Sequence, residues 1–216
     1  MKLGIFGGSF DPVHYGHLLL AESCREQLNL DKVFFVPAGI PPHKRETRLT
    51  PAIHRLAMLE LAIAGEADFE ICRYEIDRDE VSYTVDTLRW FRDQFPEAEL
   101  YLLVGADMLN DLPNWREAAE ICRLALPVGV HRGGAAPPAP ERLLPLLSSE
   151  RLEQFKKTRV DMPLIALSAS EIRRRVQHGQ SIRFRVPKAV EQYILHQGLY
   201  RNSTPEELTN SSQGGC

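Results

Sequence analysis

A chain of 216 residues that is 44% hydrophobic and 25% charged has enough apolar material to bury one compact core and the composition of a soluble globular protein. Its formal net charge of -3 argues against a protein that coats nucleic acid, but leaves room for a local basic pocket around a small phosphorylated ligand. No apolar run approaches bilayer-spanning length, and the first residues lack the basic-then-apolar layout of a secretion signal. No membrane partner and a cytoplasmic location are therefore expected. Cys24, Cys72, Cys122 and Cys216 form no C-x-x-C pair, and the first three sit in apolar-periodic segments. That pattern reads as small buried thiols rather than zinc or redox chemistry.

In chain order, KLGIF (residues 2–6) is an apolar run closed by Gly7 and Gly8, which predicts a buried strand. A helix is expected over 16–30, a strand over 32–39, and a polar, proline-punctuated loop over 40–51. A second helix over 51–65 begins at Pro51 and ends at Gly65. The alternation continues with a strand over 68–76 and a helix entered through Ser82. A strand over 99–107 and a helix over 114–123 follow, then a strand over 124–130. The Gly- and Pro-rich stretch 131–141 predicts a flexible loop, with a short helix after it. MPLIAL (162–167) predicts the last strand, and two helices over 168–179 and 187–198 close the fold. From residue 202 the chain has little to bury, and disorder is expected to 216.

Strands alternating with helices predict an α/β fold with a doubly wound, mostly parallel sheet. The expectation is one domain over 1–201, with a small C-terminal helical part from about 168. Ligands of such sheets gather outside the carboxyl ends of the strands. The chemically interesting residues cluster at those ends: 7–17 after the first strand, 37–44 after the second, 105–107 after the fourth, and 168–173 after the last.

The stretch GGSFDPVHYGH (7–17) matches neither G-x-G-x-x-G nor the P-loop pattern. His14 and His17 have metal-ligand spacing, but no third ligand of the right character lies near them in sequence, so no metal site is assigned. Phosphate fits the residues better. Gly7 and Gly8 let backbone N–H groups approach an anion, Ser9 adds a hydroxyl, and the next helix presents its positive end. A turn glycine pair with two partly buried histidines is the plain structural alternative.

This stretch resembles the signature of the H-x-G-H nucleotidyltransferase superfamily. VPAGIPPHK (36–44), SYTVDTL (82–88), GADMLNDLPNW (105–115), LSASEIRRRV (167–176) and VPKAVEQYILHQGLY (186–200) further resemble, in order and spacing, the blocks of bacterial nicotinate-nucleotide adenylyltransferases. The resemblance implies a Rossmann-like fold and transfer of AMP from ATP to nicotinate mononucleotide, with pyrophosphate leaving in line and no covalent enzyme intermediate. It implies that His14, His17 and Arg173 are catalytic, acting on the ATP phosphates. Gly7, Gly8, Ser9, Phe10, Gly105, Asp107, Ser168, Ser170 and Lys44 would bind ATP. Gly39, His43, Lys44, Tyr83, Thr84, Trp115 and Arg116 would bind nicotinate mononucleotide. Mg²⁺ is implied as a companion of the ATP phosphates rather than as an ion in a protein cage.

Each role has a structural counterpart. Asp107 reads equally as a helix N-cap, Trp115 as a core tryptophan, Lys44 as a solvated loop cation, and Arg173–Arg175 as a solvated helix face. Two places depart from the family pattern. Ala38-Gly39 stands where an asparagine often precedes PPHK, so any contact made there passes to backbone, and HRGGAAPPAPE replaces the commoner RPG. The partners expected are small-molecule substrates and no nucleic acid; monomer and homodimer both stay open. The competing readings are a relative with another phosphorylated acceptor and a non-catalytic nucleotide-binding protein.

Overall fold

The computed structural model describes residues 1–40, 49–132, 143–158 and 160–201, with backbone alone at 106, 107, 131 and 132. The expected disorder of 202–216, most of the 40–51 loop and nearly all of the 131–141 loop lie outside the described residues.

The chain alternates strand and helix as the sequence predicts. Its elements are β1 (Lys2–Gly8), α1 (Tyr15–Leu28), β2 (Lys32–Pro37), α2 (Ala52–Ala62), β3 (Phe69–Ile71), α3 (Thr84–Gln94), β4 (Glu99–Gly105) and α4 (Ala106–Asp111). After these come α5 (Ala118–Leu124), β5 (Leu126–Arg132), α6 (Ser149–Lys157), β6 (Val160–Met162), α7 (Ala169–Gln177) and α8 (Lys188–His196). The six strands form one sheet in the order β3-β2-β1-β4-β5-β6, and every pairing is parallel. The chain winds outward from β1 to β3, then returns to β1's other side and winds out to β6. The strand order reverses between β1 and β4, where a doubly wound sheet opens its binding crevice.

Residue alternation divides the core between the two faces of the sheet. Val33 and Phe35 of β2, with Tyr101 and Leu103 of β4, pack beneath α1, α2, α7 and α8, alongside Leu20, Met58, Ile172 and Val190. Phe34 and Val36, with Leu100, Leu102 and Val104, face α3 and α5 through Leu88, Phe91 and Ile121. Helix α1 ends at Asn29, whose left-handed backbone (φ 51°) lets the N–H of Leu30 bond back to the Arg25 carbonyl, closing the helix into β2.

Several boundaries differ from the sequence reading. β4 stops at Gly105, and Asp107 lies in the first turn of α4, a helix the apolar run LYLLVGADML conceals by continuing past the strand. β3 ends at Ile71, and residues 74–77 form a turn instead of extending the strand to 76. The last strand is Val160–Met162, so MPLIAL contributes only its first residue; Leu164, 69% exposed, has no sheet to pack against. Trp115 caps a 3-10 turn (Leu112–Asn114), and α5 begins only at Ala118.

Phe91 is fully buried and meets the Phe34 ring edge-on at 5.1 Å. Phe91→Ala should therefore lower the unfolding free energy by about 3–5 kcal/mol in a urea titration. Ile53→Ala, at a side chain 68% exposed, should change it by no more than about 0.5 kcal/mol.

Candidate active site

Gly7 and Gly8 end β1 at the strand-order reversal and form one wall of a cavity of about 620 Å³. A Cβ built on Gly7 would meet no protein atom within 4 Å, so the space in front of it is open to a ligand. Past the glycines the chain turns through Phe10, which adopts a left-handed backbone (φ 46°) and seats its fully buried ring edge-on against Phe6 at 5.4 Å and His17 at 5.1 Å. The side chain of Phe10 thus faces the core. His14 is the N-cap of α1 and is buried; its N–H donates to Nδ1 of His17 at 3.2 Å. The two imidazoles stack with centroids 3.7 Å apart and planes 18° apart. The H-x-G-H spacing therefore sets both rings side by side in the first turn of α1, where helix N–H groups lack intrahelical acceptors.

Beneath this turn lies a polar network that sequence reading missed. Asp11 is 3% exposed and Arg55 2%. The Asp11 carboxylate accepts from the Tyr200 hydroxyl at 2.6 Å and from the Thr50 N–H at 3.1 Å. Arg55 donates to the carbonyls of Ser9 and Thr50, both at 3.0 Å. Burial, together with the charge of Asp11 beside it, pushes the Tyr200 phenol far above its usual range. Arg55 is hidden in sequence because it sits in the otherwise apolar face of α2. Tyr200 is hidden because nothing local to it points to residue 11.

Helix α7 brings Arg173 to the same turn. Arg173 donates to the Asp11 carbonyl at 2.7 Å and to the Ser170 hydroxyl at 3.4 Å. Ser168 is the N-cap of α7, its hydroxyl accepting from the Glu171 N–H at 3.2 Å. Gly105 is the N-cap residue of α4, and Asp107 follows it inside the helix rather than at the strand end.

Tyr83, Thr84, Trp115 and Arg116 line the same cavity as Gly7 and Gly8. Thr84 opens α3, with Tyr83 as its N-cap. Trp115 is partly buried, and its Nε1–H donates to the Asp111 carboxylate at 3.2 Å. The Arg116 guanidinium lies over the Tyr83 ring, 4.5 Å from its centroid. Of the remaining acceptor-side residues, His43 and Lys44 lie outside the described residues, and Gly39 does not line the cavity, although Ala38 does. Gly39 instead lies against the segment before α3. A Cβ there would fall 2.1 Å from the Glu75 carbonyl oxygen, so glycine is required. Glu75, Ser82 and Thr87 are further lining residues the sequence did not reveal, since Glu75 reads as the end of a strand.

Comparison with known proteins agrees with this geometry. The family model described as cytidylyltransferase-like matches residues 5–175. A protein of Thermomicrobium roseum, named a probable nicotinate-nucleotide adenylyltransferase, is 46% identical over 93% of this chain and 92% of its own length. One of the same name from Geobacillus thermodenitrificans is 43% identical over 92% of this chain and 86% of its own. Among solved structures, the nicotinic acid mononucleotide adenylyltransferase of Plasmodium falciparum complexed with NaAD superposes with a TM-score of 0.70. It is 19% identical, and the match covers 92% of this chain and 97% of that one, a likeness of fold.

Tyr200→Phe should cost about 1.5–3 kcal/mol of stability in urea, the worth of a hydrogen bond to a charged group. The direction of the Tyr200 shift adds a pH signature. A phenol whose pKa is raised by folding contributes stability that is complete below the unfolded value of 10.0 and is lost as pH rises beyond it. Between pH 9 and 11, values on the order of the free phenol's, the wild type should lose stability more steeply than Tyr200→Phe.

Proposed function

The chain belongs to the nicotinate-nucleotide adenylyltransferase family, and we propose that it transfers the AMP moiety of ATP to nicotinate mononucleotide, giving nicotinate adenine dinucleotide and pyrophosphate. The observation that carries this reading is a shared wall. Gly7 and Gly8 line a cavity together with Tyr83, Thr84 and Trp115, and the turn that leaves them carries the stacked His14–His17 pair. A triphosphate laid along the glycines therefore meets an acceptor seated in the cavity.

In the proposed reaction an oxygen of the acceptor phosphate forms a bond to the α-phosphorus of ATP, the bond from that phosphorus to the bridging oxygen breaks, and pyrophosphate departs in line. No enzyme nucleophile is needed. Catalysis is positioning together with stabilisation of charge on the phosphoryl oxygens. His14 and His17 would hydrogen-bond those oxygens, with His17 nearest the transferring group. Arg173, fixed by the Asp11 carbonyl and Ser170, would meet the β- and γ-phosphates with its remaining N–H groups. Gly105 and Asp107, at the mouth of the crevice, would serve the adenosine. Mg²⁺ would arrive on the triphosphate and neutralise part of its charge.

On the acceptor side, Trp115 would stack on the pyridine ring, while the first N–H groups of α3, at Thr84, would bind its carboxylate as a helix N-terminus binds an anion. A donor-only site favours the acid over the neutral amide. Pyrophosphate release from ATP and Mg²⁺ should therefore show kcat/KM at least about tenfold higher with nicotinate than with nicotinamide mononucleotide. Equal efficiency with the two acceptors, or none with either, would refute the assignment. His17→Ala should lower kcat by about 10²–10³-fold, the loss of one preorganised donor, with the unfolding transition retained. Gly7→Ala has room for its methyl group within the protein alone, so it should leave the melting temperature unchanged while reducing turnover.

A further inference from the structure

Two stretches far apart in sequence meet at one wall of the cavity. They are the loop after β2 (Ala38–Ile40), which reaches the cavity at Ala38, and residues 75–87, which run from the turn after β3 into the first turns of α3. Their contacts converge on Glu75 and its carboxyl. It accepts from the Thr87 hydroxyl of α3 at 2.7 Å. The Ser82 hydroxyl and the Gly39 N–H lie close enough to favour its charge, although Ser82 Oγ has no hydrogen-bond partner among the described residues. Gly39 is in such close approach that a Cβ there would lie 3.0 Å from Ser82 Oγ as well as against the Glu75 backbone. The two loops are further clasped by a parallel bridge between Ile40 and Val81 and by the Ser82 N–H bonded to the Ile40 carbonyl at 3.0 Å. Burial pushes the Glu75 carboxyl above its usual range, and the Thr87 hydroxyl is the largest influence pulling it back.

We infer that Glu75 is a positioning residue for the acceptor: it fastens the loop after β2 and the start of α3 into one wall, and so sets where Tyr83 and Thr84 meet the pyridine mononucleotide. Its contacts lie on the acceptor side: the carboxyl accepts from Thr87 of α3, and the backbone packs against Gly39. This explains how a chain with Ala38-Gly39 in this loop shapes the acceptor site through backbone. Gly39, packed against the Glu75 backbone, fixes the loop.

The inference rests on the proposed activity, and the test separates the two. Wild-type protein is assayed first with ATP, Mg²⁺ and nicotinate mononucleotide. Glu75→Leu, which keeps the bulk and removes the acceptor, should raise KM for the mononucleotide about tenfold to hundredfold, the equivalent of one lost hydrogen bond to a charged group. KM for ATP should stay within about twofold, less than RT ln 2 of binding energy. Glu75→Gln should restore most of the loss. Its amide oxygen can accept from the Thr87 hydroxyl as the carboxylate does. Should Glu75→Leu fail to fold, Thr87→Val removes the donor and keeps the carboxyl, and should still raise the acceptor KM selectively. A purely structural role predicts otherwise: lower kcat with both KM values unchanged, or both raised together. Either result, or no change in KM, overturns the inference while leaving an active wild type, and with it the proposed function, intact. A wild type inert with nicotinate mononucleotide overturns both.

Discussion

A carboxylate beneath the loop after β1 holds the two ends of this fold together. Asp11 is shielded from water, and an ionised group there is tolerable only with partners. Its partners come from far along the chain: the Thr50 N–H at the entry of α2 and the Tyr200 hydroxyl beyond α8. Arg55, equally buried, spends its donors on the carbonyls of Ser9 and Thr50 and supplies the compensating charge. The conformation of the glycine-rich turn is thus fixed by residues that never face the cavity. Helix α7 joins the same framework through Arg173 and the Asp11 carbonyl, so the C-terminal helices help to build the site as well as cover the sheet.

The sheet explains why this turn lies where it does. With all strands parallel, β1 sits at the centre with β2 on one side and β4 on the other, and the connections leave toward opposite faces at that point. The carboxyl end of β1 is therefore left uncovered by either crossover. Glycines there keep the crevice floor low, while α1 and α3 turn their N-termini toward it from either side. Two helix ends that favour negative charge flank one crevice, which suits a reaction that brings two phosphorylated molecules together.

How much of this was legible in the sequence follows the range of the interactions. Strand–helix alternation is a local pattern, and the sheet class and nearly all the elements could be read from it. The H-x-G-H pair was legible because three residues along a helix always place two side chains on one face. The limits of β3, β4 and β6 were not, because apolar residues outlast the sheet pairing: Leu164 is as apolar as Val160 but has no strand beside it. The Asp11–Tyr200 bond joins residues 189 positions apart and leaves no local trace. Glu75 lay in a stretch whose alternation imitates a strand, and its role depends on Gly39, Ser82 and Thr87 meeting in space.

The two halves of the crevice are anchored by different carboxyls, and among the described residues the anchors share no hydrogen-bond partner. Asp11 fixes the glycine turn through α2 and the C-terminus, whereas Glu75 gathers the loop after β2 against α3. The halves meet at the end of β1, where the Ala38 N–H donates to the Gly8 carbonyl, and Arg55 feels the charge of both carboxyls. Couplings are large within one network and small between networks without common contacts. Substitutions on the α3 side should therefore be felt at the glycine turn mainly through the Ala38–Gly8 bond and the charge of Arg55, and not through the hydrogen bonds that hold Asp11.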